Sequence, residues 1–176
     1  FFGGLFVAYA VFRFYYPEMF VEANSHLSWK MGALNTLFLI TSSLTMVLSV
    51  RSAQLGNRKK LIWYLVWTFI LACFFLVVKY FEYSEKIAHG YLPSLWFTGS
   101  GHEQTMPIFF GLYFVMTGLH GLHVFIGMIL IAWLIRRSYQ GHFYEDYYTP
   151  VEMVGLYWHI VDMIWIFLFP MLYLIG

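Results

Sequence analysis

The stretch Leu119–Arg137, LHGLHVFIGMILIAWLIRR, decides what kind of protein this chain is. It is almost entirely apolar and about as long as a helix that crosses the hydrocarbon core of a bilayer, which needs roughly 20 apolar residues. It also carries His120 and His123, one helical turn apart. An ionisable side chain in hydrocarbon is costly and requires a partner or a cavity. This segment therefore predicts a membrane helix with a polar contact inside the membrane.

The composition of the whole chain predicts the same class. Of its 176 residues, 61% are hydrophobic and 11% are charged, whereas soluble domains have about 45–50% apolar and about 25% charged residues. A net charge of +1 without a basic patch argues against nucleic acid as a partner. The single cysteine, Cys73, excludes an internal disulfide and a cysteine-based zinc site.

The hydrophobic runs predict an all-α fold, an integral membrane bundle of five transmembrane helices in one domain that covers residues 1–176. Because the chain begins with Phe1 inside an apolar run, we expect the first helix to be truncated at its N-terminus. The predicted helices cover residues 1–16, 31–50, 61–80, 106–135 and 152–175.

Basic residues in the short loops predict the orientation. Positively charged side chains are enriched in cytoplasmic loops. The loops that follow the second and fourth helices carry six of them, Arg51, Arg58, Lys59, Lys60, Arg136 and Arg137. We therefore expect the N-terminus to be cytoplasmic and the C-terminus to lie outside.

Two helix faces carry polar residues at helical spacing. On the fifth helix His159 and Asp162 are i,i+3 neighbours that can contact each other directly. On the fourth helix Gly127 follows His123 by one turn and leaves room for a neighbouring side chain. We predict that these faces meet in a buried polar cluster, made of His120, His123, His159, Asp162 and Glu152.

The second and third helices carry polar groups with a structural interpretation. Ser42, Thr45 and Ser49 form a stripe that we expect to hydrogen-bond to other helices. Lys79 and Glu82 are spaced to pair with each other at the membrane interface. Lys79 can also extend its amine outward to water.

The histidines leave a second interpretation open. Together with Asp162, His120, His123 and His159 could supply the ligands of a zinc or non-heme iron site, or two of them could ligate heme. An i,i+3 histidine pair suits one small ion less well than an i,i+4 pair, and a zinc or iron site needs three or four ligands with an ordered second shell. Buried, hydrogen-bonded histidines are therefore favoured over a metal site.

Several strings of the sequence resemble consecutive helices of subunit III of the heme–copper oxidases. The most specific are TGLHGLHV (117–124), YWHIVDMIW (157–165) and VKYFEYSEKIAHG (78–90), and LNTLFLITSSLTMVLSV (34–50) also matches. The family pattern includes Glu82 with Tyr83, His120 with His123, and His159 with Asp162, and it assigns none of them to a metal. The resemblance implies no cofactor in this chain, with heme and copper in partner subunits.

The resemblance also implies a biological role. Subunit III binds directly beside subunit I, in a complex with subunit II and other respiratory subunits, and it binds phospholipid, for which His123 and Tyr113 are the possible contacts. The complex reduces oxygen to water and translocates protons, and subunit III stabilises it and supports proton uptake. Five helices, against seven in the long form, resemble the short bacterial form and imply the bacterial plasma membrane.

Three questions stay open at the level of the sequence. The electron donor of such a complex is cytochrome c or a quinol. A family carboxylate in the first shared helix would lie upstream of Phe1. The alternatives to an oxidase subunit are a stand-alone membrane protein that binds metal or heme through the His/Asp cluster, and the related subunit of a nitric oxide reductase.

Overall fold

The structure is a computed structural model that describes residues 2–18, 20–21, 29–88, 106–141 and 146–174. Its five main helices are α1 (Phe2–Tyr15), α2 (Trp29–Gln54), α3 (Arg58–Ala88), α4 (Met106–Tyr139) and α5 (Thr149–Phe169), and a π-helical turn, Pro170–Leu174, follows α5. Among the described residues, four helices, α2 to α5, are long and apolar enough to cross a membrane. The predicted all-α membrane bundle is therefore confirmed, and the 14-residue α1 is the short first helix.

The helix bounds differ from the predicted ones mainly at the end of α3. This helix continues from the predicted end at residue 80 to Ala88, so Glu82 and Lys86 are helical and buried rather than part of a boundary segment. The Lys and Glu side chains lower the local hydropathy, but they pair inside the bundle and do not stop the helix. Residues 1 and 175 of the predicted spans lie outside the described residues.

A tight turn makes α2 and α3 antiparallel neighbours. Gly56 adopts a positive φ of 70°, which glycine tolerates without strain. The Asn57 N–H then donates to the Ser52 carbonyl at 2.9 Å, and the Asn57 side chain accepts from the Lys60 N–H at 3.3 Å. These bonds satisfy the last carbonyl groups of α2 and the first amide groups of α3.

The same end of the bundle carries the basic loop residues. The Arg58 guanidinium donates to the Tyr139 carbonyl, which joins the start of α3 to the end of α4. We call this end of the molecule the basic end. The buried core runs from here through α2 to α5, with Trp158, Trp165 and Phe75 fully enclosed at its centre.

Helices α2 and α4 each pack against both α3 and α5, whereas α1 packs at the periphery against α4. The predicted close approach at Gly127 is confirmed, since a Cβ there would lie 2.8 Å from the Trp158 ring. Trp158 fills this space from α5, and its indole N–H donates to the Ser42 hydroxyl of α2 at 3.1 Å. One tryptophan thus joins three helices.

The polar stripe of α2 forms the predicted interhelical hydrogen bonds at two of its three members. Thr45 and Thr68 of α3 share a hydrogen bond of 2.7 Å, and Ser42 accepts from Trp158. The Ser49 hydroxyl instead donates to the Met46 carbonyl of its own helix at 2.6 Å. That expectation was wrong because a serine hydroxyl in a helix can reach a carbonyl of the preceding turn.

Candidate functional site

The most extensive polar network lies inside the bundle, away from the basic end. Lys79 Nζ lies 3.2 Å from Glu82 Oε2 and donates to the Tyr173 hydroxyl at 2.9 Å. The other carboxylate oxygen, Glu82 Oε1, accepts from Tyr113 at 2.6 Å and also from Tyr173. Each charged group therefore has several partners, which is the condition for keeping an ion pair in low dielectric.

This network corrects two expectations. The Lys79–Glu82 pair forms as predicted, but it lies in the interior, and Lys79 does not extend to water. Its amine lies 4.4 Å from the centre of the Trp165 ring, in a cation–π geometry. Tyr113 is fully buried, so it is a hydrogen-bond partner of Glu82 and not the lipid contact that was expected.

Two tyrosines complete this region. The Tyr83 hydroxyl shares a hydrogen bond with Thr117 of α4, on a different side of α3 from Glu82. Tyr173, in the turn after α5, is a partner of Glu82 that the sequence patterns above did not predict. The signal in the sequence was a tyrosine on an otherwise buried face, because a buried hydroxyl needs a polar partner.

His120 joins α4 to α5, as predicted. Its Nε2 atom lies 2.9 Å from the Val161 carbonyl. Because a carbonyl oxygen only accepts, Nε2 carries the proton and donates. The ring is fully buried between Phe75 and Trp165. Its other nitrogen, Nδ1, has no hydrogen-bond partner within the described part of the chain.

His123 does not join the two helices through its ring. Nδ1 donates to the Leu119 carbonyl of its own helix at 2.7 Å, and the ring packs edge-on against Phe2 of α1 at 5.4 Å. The tie to α5 is made instead by the Tyr157 hydroxyl, which donates to the His123 carbonyl at 2.9 Å. The half-buried ring keeps lipid contact at His123 as a prediction.

His159 and Asp162 face α2 and do not bond to each other. His159 Nδ1 lies 2.6 Å from the Ser43 hydroxyl. Asp162 is 4% exposed, and neither of its oxygens has a hydrogen bond of acceptable geometry within the described residues, although the Ser43 hydroxyl lies beside it. The predicted direct contact was wrong because α2, rather than the neighbouring turn of α5, covers this face.

The predicted single polar cluster is therefore divided among different helix pairs. His120 lies between α4 and α5, His123 faces α1, and His159 with Asp162 faces α2. Glu152 is exposed at the basic end of α5. Across the residues that the structure describes, no group of three or more His, Cys, Asp or Glu side chains is arranged to hold a metal ion.

Comparison with known proteins matches residues 16–176 to the family model of cytochrome c oxidase subunit III. The chain belongs to this family. The matched region contains α2 to α5. It therefore includes the hydrogen-bonded group around Glu82, the contact of His159 with α2 and the contact of His120 with α5. The resemblance of the TGLHGLHV and YWHIVDMIW strings to subunit III is thus confirmed.

Individual members of the subunit III family support the same assignment. The chain is 34% identical to cytochrome c oxidase subunit 3 of Thermostichus vulcanus over 99% of its length, which is 80% of that protein. For the Synechocystis subunit 3 the identity is 32%, over 99% of the chain and 69% of the relative. For the Cyprinus carpio subunit 3 it is 33%, over 81% of the chain and 49% of the relative. The chain thus spans about half the length of its vertebrate relatives.

Proposed function

We propose that this chain is the non-catalytic subunit III of a respiratory heme–copper terminal oxidase, a complex that reduces oxygen to water and translocates protons. The observation that carries this proposal is the family match across residues 16–176. The chain stabilises the catalytic subunit, binds phospholipid and supports proton uptake. Heme and copper belong to partner subunits, and the catalytic centre lies outside this chain.

The hydrogen bonds of three histidine rings support a structural role for this chain. His120 and His123 each donate a ring proton to a backbone carbonyl, and His159 bonds to Ser43. Each of these bonds fixes its ring against the backbone or side chain that it contacts. The three rings thus stabilise helix packing, which is the role of an accessory subunit that must present a fixed surface.

The surface of the bundle supports membrane embedding and assembly. Large apolar side chains are exposed on all the long helices, among them Leu37, Phe74, Phe125 and Met153. Such a surface requires lipid or other membrane subunits. We propose direct contact with subunit I, within a complex that contains subunit II and other respiratory subunits, and a lipid contact at His123.

We further propose that the chain is one domain of a bacterial plasma membrane protein, with the N-terminus in the cytoplasm and the basic end inside. Labelling of single cysteines in a Cys73→Ser background tests the orientation. Lys30→Cys should react with an impermeant maleimide in intact cells, and Lys59→Cys only after permeabilisation. The reverse pattern would overturn the orientation without affecting the family assignment.

Purification of the tagged chain from its native membrane tests the oxidase proposal. We expect the chain to co-purify with a heme-containing many-helix subunit and with oxygen consumption driven by cytochrome c or a quinol. His120→Ala and His159→Ala should leave the heme absorption of the complex unchanged. A heme band that remains with the isolated chain and is lost in these variants would establish the alternative metalloprotein. Nitric oxide reduction without oxygen reduction would indicate the related reductase.

A further inference from the structure

The π-helical turn after α5, Pro170–Leu174, is held in place by polar side chains of two other helices. The Tyr173 hydroxyl donates to Glu82 of α3 and accepts from Lys79 of the same helix at 2.9 Å. The hydroxyl of Tyr113, on α4, lies 3.3 Å from it. Single π-helical turns occur frequently at functional sites. The side chain of Tyr173 thus fixes this turn against α3 and α4.

The same turn also binds α1 through the backbone. The Tyr9 hydroxyl of α1 donates to the Met171 carbonyl. Carbonyl groups in the last turn of a helix lack a donor within the helix, and in hydrocarbon an unpaired carbonyl is costly. Tyr9 is 4% exposed, and its ring packs edge-on against Phe20. Met171 and Tyr173, two residues apart in one turn, therefore connect α1 to the hydrogen-bonded group around Glu82.

The packing of α1 makes this hydrogen bond important for its position. Helix α1 packs mainly against α4, and its side chains Val7 and Val11 are exposed. At its start, Phe2 packs edge-on against the His123 ring at 5.4 Å. In a membrane no hydrophobic force drives helices together, so their association depends on close packing and on hydrogen bonds between them. The bond to Met171 should therefore contribute a large part of what keeps α1 docked on the bundle.

We propose that the π-helical turn is a latch through which the hydrogen-bonded group around Glu82 controls the docking of α1. While Tyr173 is bonded to Glu82, the turn holds the Met171 carbonyl within reach of Tyr9, and α1 stays on α4. When Tyr173 loses its bonds, the turn relaxes, and α1 moves away from α4 and uncovers the His123 ring. Hydrogen-bond networks that have two arrangements can couple distant sites in this way. The latch does not depend on the subunits with which the chain assembles.

Distance measurements between two spin labels test this latch in the full chain, reconstituted into lipid nanodiscs in a Cys73→Ser background. The labels are attached at Val11→Cys on α1 and Val115→Cys on α4, both at exposed positions. We expect one dominant distance in the parent protein. Tyr9→Phe and Tyr173→Phe should each raise the fraction of molecules with a longer distance about fivefold, as expected for the loss of one hydrogen bond. The double variant should raise this fraction no further, because both changes open the same latch.

A matched control separates the latch from a general loosening of the bundle. Tyr83→Phe removes a tyrosine hydroxyl of α3 that bonds to Thr117 and not to the turn, so it should leave the α1 distance unchanged. A second label pair, Ile70→Cys on α3 and Ile129→Cys on α4, should keep its distance in every variant. An unchanged α1 distance in Tyr173→Phe would overturn the proposal. Equal release of α1 in Tyr83→Phe, additive release in the double variant, or a changed distance between α3 and α4 would also overturn it.

Discussion

Lys79 Nζ and Glu82 Oε2 lie 3.2 Å apart with only 8% and 2% of their side chains exposed. The pair is one helical turn apart in α3, yet it depends on two tyrosines from other helices, Tyr113 and Tyr173. A surface pair of the same spacing would contribute little to stability. In the interior, the removal of either member leaves the other charge buried without its counterion.

A double-mutant cycle at this pair should therefore show strong coupling. We expect Lys79→Met and Glu82→Gln each to lower the free energy of unfolding in detergent micelles by about 3–5 kcal/mol, because each leaves a buried partner uncompensated. The double variant should lose much less free energy of unfolding than the sum of the losses in the two single variants. Additive losses would mean that the two groups do not interact. Lys59→Gln, at an exposed position of the same helix, serves as the control.

The close approach of α4 and α5 at Gly127 predicts a position-specific effect of alanine. A Cβ at residue 127 would lie 2.8 Å from Trp158, so Gly127→Ala should lower the free energy of unfolding by about 1–3 kcal/mol through overpacking. At Gly121 a Cβ would meet nothing within 4 Å. Gly121→Ala should be neutral or stabilising by up to about 1 kcal/mol, from helix propensity. Thermal unfolding of the two variants side by side distinguishes packing from propensity, and equal effects would contradict the packing argument.

The unsatisfied carboxyl group of Asp162 predicts a gain in stability on its replacement. Because its oxygens are buried and have no hydrogen bond to any described residue, Asp162→Leu should raise the free energy of unfolding of the isolated chain by about 1–3 kcal/mol. Asp162→Asn keeps a polar group in the same place and should give no such gain. A direct hydrogen bond between His159 and Asp162 would instead predict that Asp162→Leu lowers the free energy of unfolding. A measured loss of stability in Asp162→Leu would therefore favour that hydrogen bond.

The hydrogen bond between α2 and α3 at Thr45 and Thr68 predicts a modest coupling. The cycle of Thr45→Val and Thr68→Val should give a coupling energy of about 0.6 kcal/mol, the average for hydrogen bonds between membrane helices. Thr41 is exposed and bonds to the Leu37 carbonyl of its own helix. Thr41→Val paired with Thr68→Val should therefore show no coupling in the same denaturation experiment, and coupling there would point to an indirect effect.

Local pattern predicted a large part of this fold. Runs of apolar residues located every helix within a few residues, apart from the longer end of α3. The spacing of Lys79 and Glu82 predicted their pairing, and the absence of a side chain at Gly127 predicted a close approach. Each of these predictions depends only on residues of a single helix, whose geometry sets their spacing and the face on which they lie.

The candidate site was less predictable. His120, His123, His159 and Asp162 share two helix faces, but the structure places them against three different neighbours. The sequence could not show that α2 covers His159, or that Tyr173 reaches Glu82 from the turn after α5.

The sequence by itself determined the membrane class, the helices, the residues that share each helix face and the family. Only the tertiary structure decided which helix covers each face, that Lys79 is enclosed by aromatic rings and that Asp162 has no hydrogen bond to any of the residues that the structure describes. The physical reason is that the period of a helix is a local property of the backbone. The rotation and neighbours of a helix instead result from the packing of all the helices at once.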